Sequence, residues 1–234
     1  MRAFALALLL AAPPAPKTLS DSEAQRLLTA PVRVDAKAGS VLRTSAQKYA
    51  SLKSLLSTSV TDGITTTSRM KRPRYLHSLQ QKPSGELIRL TISDGKDYYD
   101  YLEASRKYVV RGGPQMLDFP LPFNVRPFWV DASRGTVMKS IKGQSAVREF
   151  AFVYAGEEKV SGKPADRIRV STLVRGPSGW QTFDSIRSYD RASGLLVQVA
   201  SGSRRTIIKN QPNVSLLTEG FVWKPIPDAT RSFE

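Results

Sequence analysis

From Asp35 to Leu52 apolar positions recur at helical spacing. Ala38, Leu42, Ala46 and Tyr49 form one stripe, and Val41, Leu52 and Leu56 widen it. This pattern predicts an amphipathic helix that must lay its apolar face on another element. Upstream, Ser20-Asp21-Ser22-Glu23 fits a capping box, followed by AQRLL, so a shorter helix is expected to start there and end before Pro31. After Ser54 the period changes to two. Short β-like runs are predicted near 55–62, 65–80, 86–93, 96–103 and 107–111, at the spacing of an all-β sheet or barrel. The second half continues as hairpins: REFAFVYAG, DRIRVSTLVRG, WQTFDSIRSYD, LLVQVAS and RRTIIKN. Gly194 is placed to take the left-handed position that closes the 190–194 loop. Asp94-Gly95 predicts another tight hairpin, because Gly accepts positive φ freely and Asp tolerates it.

Alternation assigns faces within these strands. In DRIRVST, Arg167, Arg169 and Ser171 share a wet, basic face, while Ile168, Val170 and Thr172 share a greasy one. Tyr99 and Tyr101 share one face of their hairpin, and Tyr98 and Leu102 the other; spacing alone leaves open which pair turns inward. Between the halves, GGPQMLDFPLPFNVRP (112–127) carries four prolines with Met116, Leu117, Phe119, Leu121 and Phe123 among them. Prolines forbid an interior strand, and so many large apolar groups do not suit an exposed loop, so this segment is expected to fold over an apolar surface as a lid.

The opening MRAFALALLLAAPPAP has one cation and an apolar run far shorter than the about 20 residues that span a bilayer, and it reads as a secretory leader over 1–16. The remainder, 17–234, is expected to form a single domain. The chain has no cysteine, so a disulfide framework, a thiolate metal site, a thiol nucleophile and a lipid anchor on cysteine are all excluded. Thirty-five Lys and Arg against twenty Asp and Glu give a net charge of +15. That charge attracts anions in general and suits a surface resting beside anionic lipid. The bases are dispersed, with knots only at MKRPR (70–74) and SRR (203–205), and the clustered bases and aromatics of a nucleic-acid surface are missing.

Catalytic chemistry finds little support. His77, the only histidine, sits in the strand-like YLHSL with no nucleophile-elbow sequence, and a structural role is the simpler reading. Glu157-Glu158 and Asp97, Asp100 and Glu103 are the tight acidic groups, and at hairpin ends they most simply solvate turns. No phosphate-cradling glycine loop stands between a strand and a helix. Neither an enzyme, a metal nor a cofactor is expected.

Taken in order, the long helix, VTDG (60–63), KRP (71–73), ISDGK (92–96) with tyrosines after it, and FVWKPIP (221–227) resemble the LolA family of periplasmic lipoprotein carriers and its wider LolA-like superfamily. GEEKVSGKPADRIRV (156–170) is similar to a hairpin of lipoprotein-sorting relatives. The resemblance covers most of residues 35–227 and its specificity lies in the order of short motifs. It implies a mainly β fold with helices (α+β), an incomplete antiparallel β-barrel covered by the N-terminal helix and an apolar lid loop, with a cavity for acyl chains. It further implies that Arg72, the arginine of the family's Arg-Pro pair, bonds the lid and gates release. With it go Met116, Leu117, Phe119, Leu121 and Phe123 as the lid, and Tyr99, Tyr101, Ile168 and Val170 as candidate cavity lining. The function expected is a soluble, monomeric carrier in the periplasm or envelope, with a lipid or acylated lipoprotein as partner. The alternative is a sensor of the same fold that binds an envelope membrane protein and takes lipid as signal.

Overall fold

The computed structural model describes residues 16–72, 75–112, 138–139, 146–176 and 178–232. The first helix, α1 (Asp21–Thr29), follows a short strand β1 (Lys17–Leu19) and starts on the capping box: Glu23 N–H donates to Ser20 Oγ at 3.3 Å and Ser20 N–H donates to the Glu23 carboxylate at 2.9 Å. After β2 (Arg33–Val34) comes α2 (Ala36–Ser51). Its cap is Asp35, which uses both oxygens: one accepts from Ala38 N–H at 2.7 Å, the other from Tyr154 N–H at 2.6 Å. The residue that begins the helix therefore also ties it to the sheet.

The sheet is continuous and mostly antiparallel. Its strands are β3 (Ser54–Thr61), β4 (Ile64–Lys71), β5 (Tyr75–Gln81), β6 (Leu87–Asp94), β7 (Asp97–Leu102), β8 (Lys107–Gly112), β9 (Met138–Lys139), β10 (Ala146–Val160), β11 (Lys163–Gly176), β12 (Gly179–Asp190), β13 (Leu196–Ser201), β14 (Arg204–Pro212) and β15 (Thr230–Arg231). The order across it is β15-β8-β7-β6-β5-β4-β3-β14-β13-β12-β11-β10-β2, with β1 added on β12 and β9 on β10. Only the end pairs β10–β2 and β15–β8 are parallel. Among the described residues the path does not close on itself, so the fold is mainly β, a large open sheet with two helices.

Two expectations need correction. The run 65–80 is not one strand but two, β4 and β5, paired antiparallel from Lys71↔Tyr75 outward. Pro73 sits in the sequence between them and has no N–H to give to a ladder. The 92–98 hairpin forms where expected, with Ser93 opposite Tyr98, but Asp94 is not left-handed. Gly95 alone has positive φ, +91°, and Asp94 instead accepts from Lys96 N–H and Asp97 N–H at 2.9 and 2.8 Å. At Asp62-Gly63 both residues do have positive φ, the primed geometry that suits a two-residue hairpin.

The core lies under α2. Ala38 and Leu42 pack with Phe152, Ile168, Val170, Tyr189, Leu196 and Ile208, and one turn and more further on Tyr49 and Leu52 pack with Leu55, Met70, Leu76 and Leu195. One helix thus bridges the two halves of the sheet on a single face. Ala24 of α1 packs instead on Leu173 and Trp180; alternation puts Leu173 on the face opposite Val170 and Thr172. Both helices end on arginines offered by the sheet side. Arg148, buried, donates to the carbonyls of Leu27 and Ala30, and Arg72 Nε and Nη2 donate to the carbonyls of Leu52 and Tyr49 at 2.7 and 3.3 Å. A cation at a helix C-terminus satisfies orphan carbonyls and opposes the negative end of the dipole.

Candidate functional site

Next to α2, the same face of the sheet opens into a trough of about 480 Å³. Its position follows from register. Leu55 faces Met70 and Met70 faces Leu76 across β3, β4 and β5, and this apolar end continues through Ser93 to Tyr98, while Ile208 stands opposite Ser59 further along. Two residues further along each strand the lining becomes polar: Ser57 opposite Ser68 opposite Ser78 opposite Thr91, then Ser59 opposite Thr66 opposite Gln80 opposite Arg89. Thr61 and Thr206 complete that end, hydroxyl to hydroxyl at 2.6 Å, and Ser68 and Ser78 meet likewise at 2.9 Å. Eight of the fourteen described residues that line it are Ser or Thr, so the wall is largely a hydroxyl surface.

The one charged residue among the described residues that line the trough, Arg89, is held by Asp100, with Nε at 2.7 Å from one carboxylate oxygen and Nη2 on the other; Thr91 Oγ1 also donates to Asp100 at 3.2 Å. The Asp100 hydrogen bond holds the Arg89 pKa above its ordinary value against the opposing effect of burial. Burial, with Asp100 nearby, pushes the Tyr98 phenol up, so Tyr98 is a neutral hydroxyl at any physiological pH. As the described residues line it, the trough is therefore uncharged overall: one ion pair among hydroxyls, with an apolar end.

The residues expected to form the site are distributed differently. Tyr99 and Tyr101 face away from the trough, because pairing of Ser93 with Tyr98 and of Thr91 with Asp100 fixes Tyr98 and Asp100 on its side. Tyr99 stacks on Trp223 at 5.0 Å, and Tyr108 packs on the same ring at 5.2 Å. Tyr101 is fully buried, its hydroxyl donating to Glu103 at 2.8 Å. FVWKPIP thus begins as a cover for the opposite face, Phe221 lying against Tyr75. Ile168 and Val170 are fully buried beneath α2 and line the packed core rather than an opening. Arg72 sits between β4 and β5, on the helix end described above. The lid residues Met116, Leu117, Phe119, Leu121 and Phe123 lie outside the described residues, as does the leader up to residue 15.

Groups weighed for catalysis have other partners. His77 pairs across with Arg69 and Ile92 on the face away from the trough, and burial followed by the Arg69 charge lowers its pKa. Glu157 bonds Arg191, and Glu158 accepts from Ser188 and from Gln198 at 3.1 Å. Asn213 is a structural corner: its φ is +54° and its Oδ1 accepts from Lys53 N–H at 2.9 Å. Among the described residues no three His, Asp or Glu side chains are grouped to hold a metal ion. The hydroxyl wall was the feature sequence reasoning passed over. Its signal is present as Ser or Thr at 57, 59 and 61 and at 66 and 68, but the alternation becomes a surface only when the strands are paired.

No family model matches the sequence, and no curated protein matches it. Among solved structures, the chain is similar to lipoprotein LppX of Mycobacterium tuberculosis (12% identity, TM-score 0.45, 79% of this chain and 99% of that one). It is also similar to LprF from Mycobacterium bovis (11%, 0.44, 81% and 98%) and to a conserved protein from Thermus thermophilus (12%, 0.40, 84% and 98%). At scores below 0.5 these likenesses speak to neither ligand nor partner.

Proposed function

We propose that this protein is a non-enzymatic binder of a lipid or an acylated molecule in the cell envelope, and that the ligand lies in the trough beside α2. The observation that carries the reading is the incomplete cover. α2 buries the sheet face under Ala38, Leu42, Tyr49 and Leu52, and beyond buried Met70 and Leu76 the same face continues, without a helix over it, past half-buried Tyr98 into the trough. An alkyl chain laid against Tyr98 at that end gains mainly by taking its own surface out of water, worth about 25 cal/mol per Å² of apolar area, because Met70 and Leu76 are already buried. The order of short motifs that resembles the LolA-like carriers supports the same reading, in which the open sheet is an incomplete barrel. Arg72 serves it by holding the end of the covering helix, through the Tyr49 and Leu52 carbonyls, next to the apolar end of the trough.

The test is purification of the protein from its own cell envelope under gentle conditions, solvent extraction, and mass spectrometry of what accompanies it. Near-stoichiometric acyl-bearing material is expected, and Met70→Trp, which projects an indole into the trough, should co-purify with much less. A consistently empty protein that also fails to take up an alkyl-chain probe would overturn the proposal.

A further inference from the structure

We infer that the trough selects an amphiphile with a neutral, hydroxyl-bearing headgroup, and discriminates against an anionic one. This rests on the lipid-binding reading and adds the class of headgroup to it. The chain as a whole carries +15, which would lead one to expect a phosphate-binding site. The trough does not share that charge. Among the described residues its only charged lining residue is Arg89, and the Nε and Nη2 of that guanidinium are already committed to the Asp100 carboxylate. An incoming phosphate would have to break this bidentate pair or sit beside the Asp100 carboxylate, so it competes with, or is repelled by, a group already in place.

The hydroxyls have the complementary property. Each carries one donor and two acceptor lone pairs, and the mutual bonds Thr61–Thr206 and Ser68–Ser78 leave acceptor capacity on every member. A wall that both donates and accepts, spaced by the cross-strand repeat, matches a headgroup that does the same, such as a sugar or polyol. The apolar end at Met70 and Leu76 adjoins it on the same face, which fits a single molecule with an alkyl chain at one end and hydroxyls at the other.

The experiment holds the chain constant and varies the head. Binding of dodecyl maltoside and dodecyl phosphate, each below its micelle concentration, is measured by calorimetry on the intact protein, with maltose alone as a third ligand. Expected is at least roughly tenfold tighter binding of the maltoside than the phosphate, and no measurable binding of maltose. The triple variant T61V/T66V/T206V replaces hydroxyls by methyls of the same size. It should cut maltoside affinity by roughly tenfold or more while leaving dodecyl phosphate within about twofold. Equal affinities for the two detergents, or a preference for the phosphate, overturn the headgroup inference and leave lipid binding standing. Maltose binding as tightly as its dodecyl glycoside overturns the amphiphile. Failure of both detergents to bind overturns this inference together with the proposed function. Because the comparison between heads is made on the unaltered protein, it decides the matter even if the triple variant does not fold.

Discussion

The pair Arg187–Glu149 offers the sharpest test of how the covered half of the sheet is held. Arg187 stands opposite Ile168 and Glu149 opposite Thr172, so both point to the face on which α2 and the apolar core lie. They meet in a two-armed contact, and each side chain is only 12% exposed. Burial acts to lower the Arg187 pKa, but the charge and hydrogen bond of Glu149 more than reverse it. Removing one partner therefore strands a desolvated charge. Glu149→Leu or Arg187→Met is expected to cost about 3–5 kcal/mol, the range for a broken buried pair. In a domain of this size that lowers Tm by roughly 6–20 °C. The double variant E149L/R187M removes both charges and should recover most of the loss, ending within about 2 kcal/mol of the original protein. Urea denaturation followed by circular dichroism, on all four proteins, gives the coupling energy directly. Single losses below about 1 kcal/mol, or losses that simply add in the double variant, would refute the claim that these charges depend on each other.

Three further outcomes follow from the same contacts. Gly194 has φ +70°, and a Cβ there would lie 3.0 Å from Lys48 Cγ on α2, so Gly194→Ala should lose about 1–2 kcal/mol in a denaturation midpoint assay, whereas Gly162→Ala at φ +81° with open space around it should lose only the conformational part. Tyr49, buried in α2, accepts from Leu196 N–H at 3.3 Å; Tyr49→Phe should cost about 1–3 kcal/mol and speed hydrogen exchange at the Leu196 amide. Asp190 is the acid-sensitive point of the 190–195 turn: burial tends to raise its pKa, but bonds from Ser193 N–H and Oγ, both 2.7 Å, bring it below the ordinary value. Its stabilising contribution is thus full above the unfolded value of about 3.9 and is lost as pH falls through the lower folded value, so Tm should drop below about pH 4 and drop less steeply in Asp190→Asn.

Much of the fold was legible because local rules and global packing agree in it. The capping box at Ser20, the stripe through Ala38, Leu42 and Tyr49, the Gly194 turn, and the alternation of Ile168 and Val170 with Arg169 all describe what the structure shows. The failures are equally physical. Tyr98 and Tyr99 are adjacent aromatics on opposite faces, and nothing local says which face will be roofed by Phe221 and Trp223 from more than 120 residues away. The arginine caps were out of reach for the same reason: Arg148 lies 121 positions from Leu27, and only the folded chain brings them together. Arg72 was picked out by its motif, but the role visible in the structure, bonding a helix end, depends on contacts at separations of 20 and 23 residues.

Net charge says little about the trough itself, and the reason is general. Net charge is a property of the surface as a whole, and here much of the basic surplus stands at rims and outward positions: Arg169 opposite exposed Val153, Arg205, and Lys209 beyond Ile208. Other cations are drawn into pairs, Arg191 with Glu157 and Asp166, Arg204 with Asp62, Arg106 with Asp228. A period-two strand can keep such a charge on one face while offering serine and threonine on the other, since neighbouring residues never share an environment. Across β3, β4 and β5 that separation is carried through: Arg69 and Lys71 lie on one side, and Ser57, Ser68 and Ser78 on the other. The basic face then suits long-range attraction to an anionic membrane, which decays within a Debye length of about 8 Å at physiological salt. The neutral trough is left to discriminate at contact distance, by hydrogen bonds that salt does not screen.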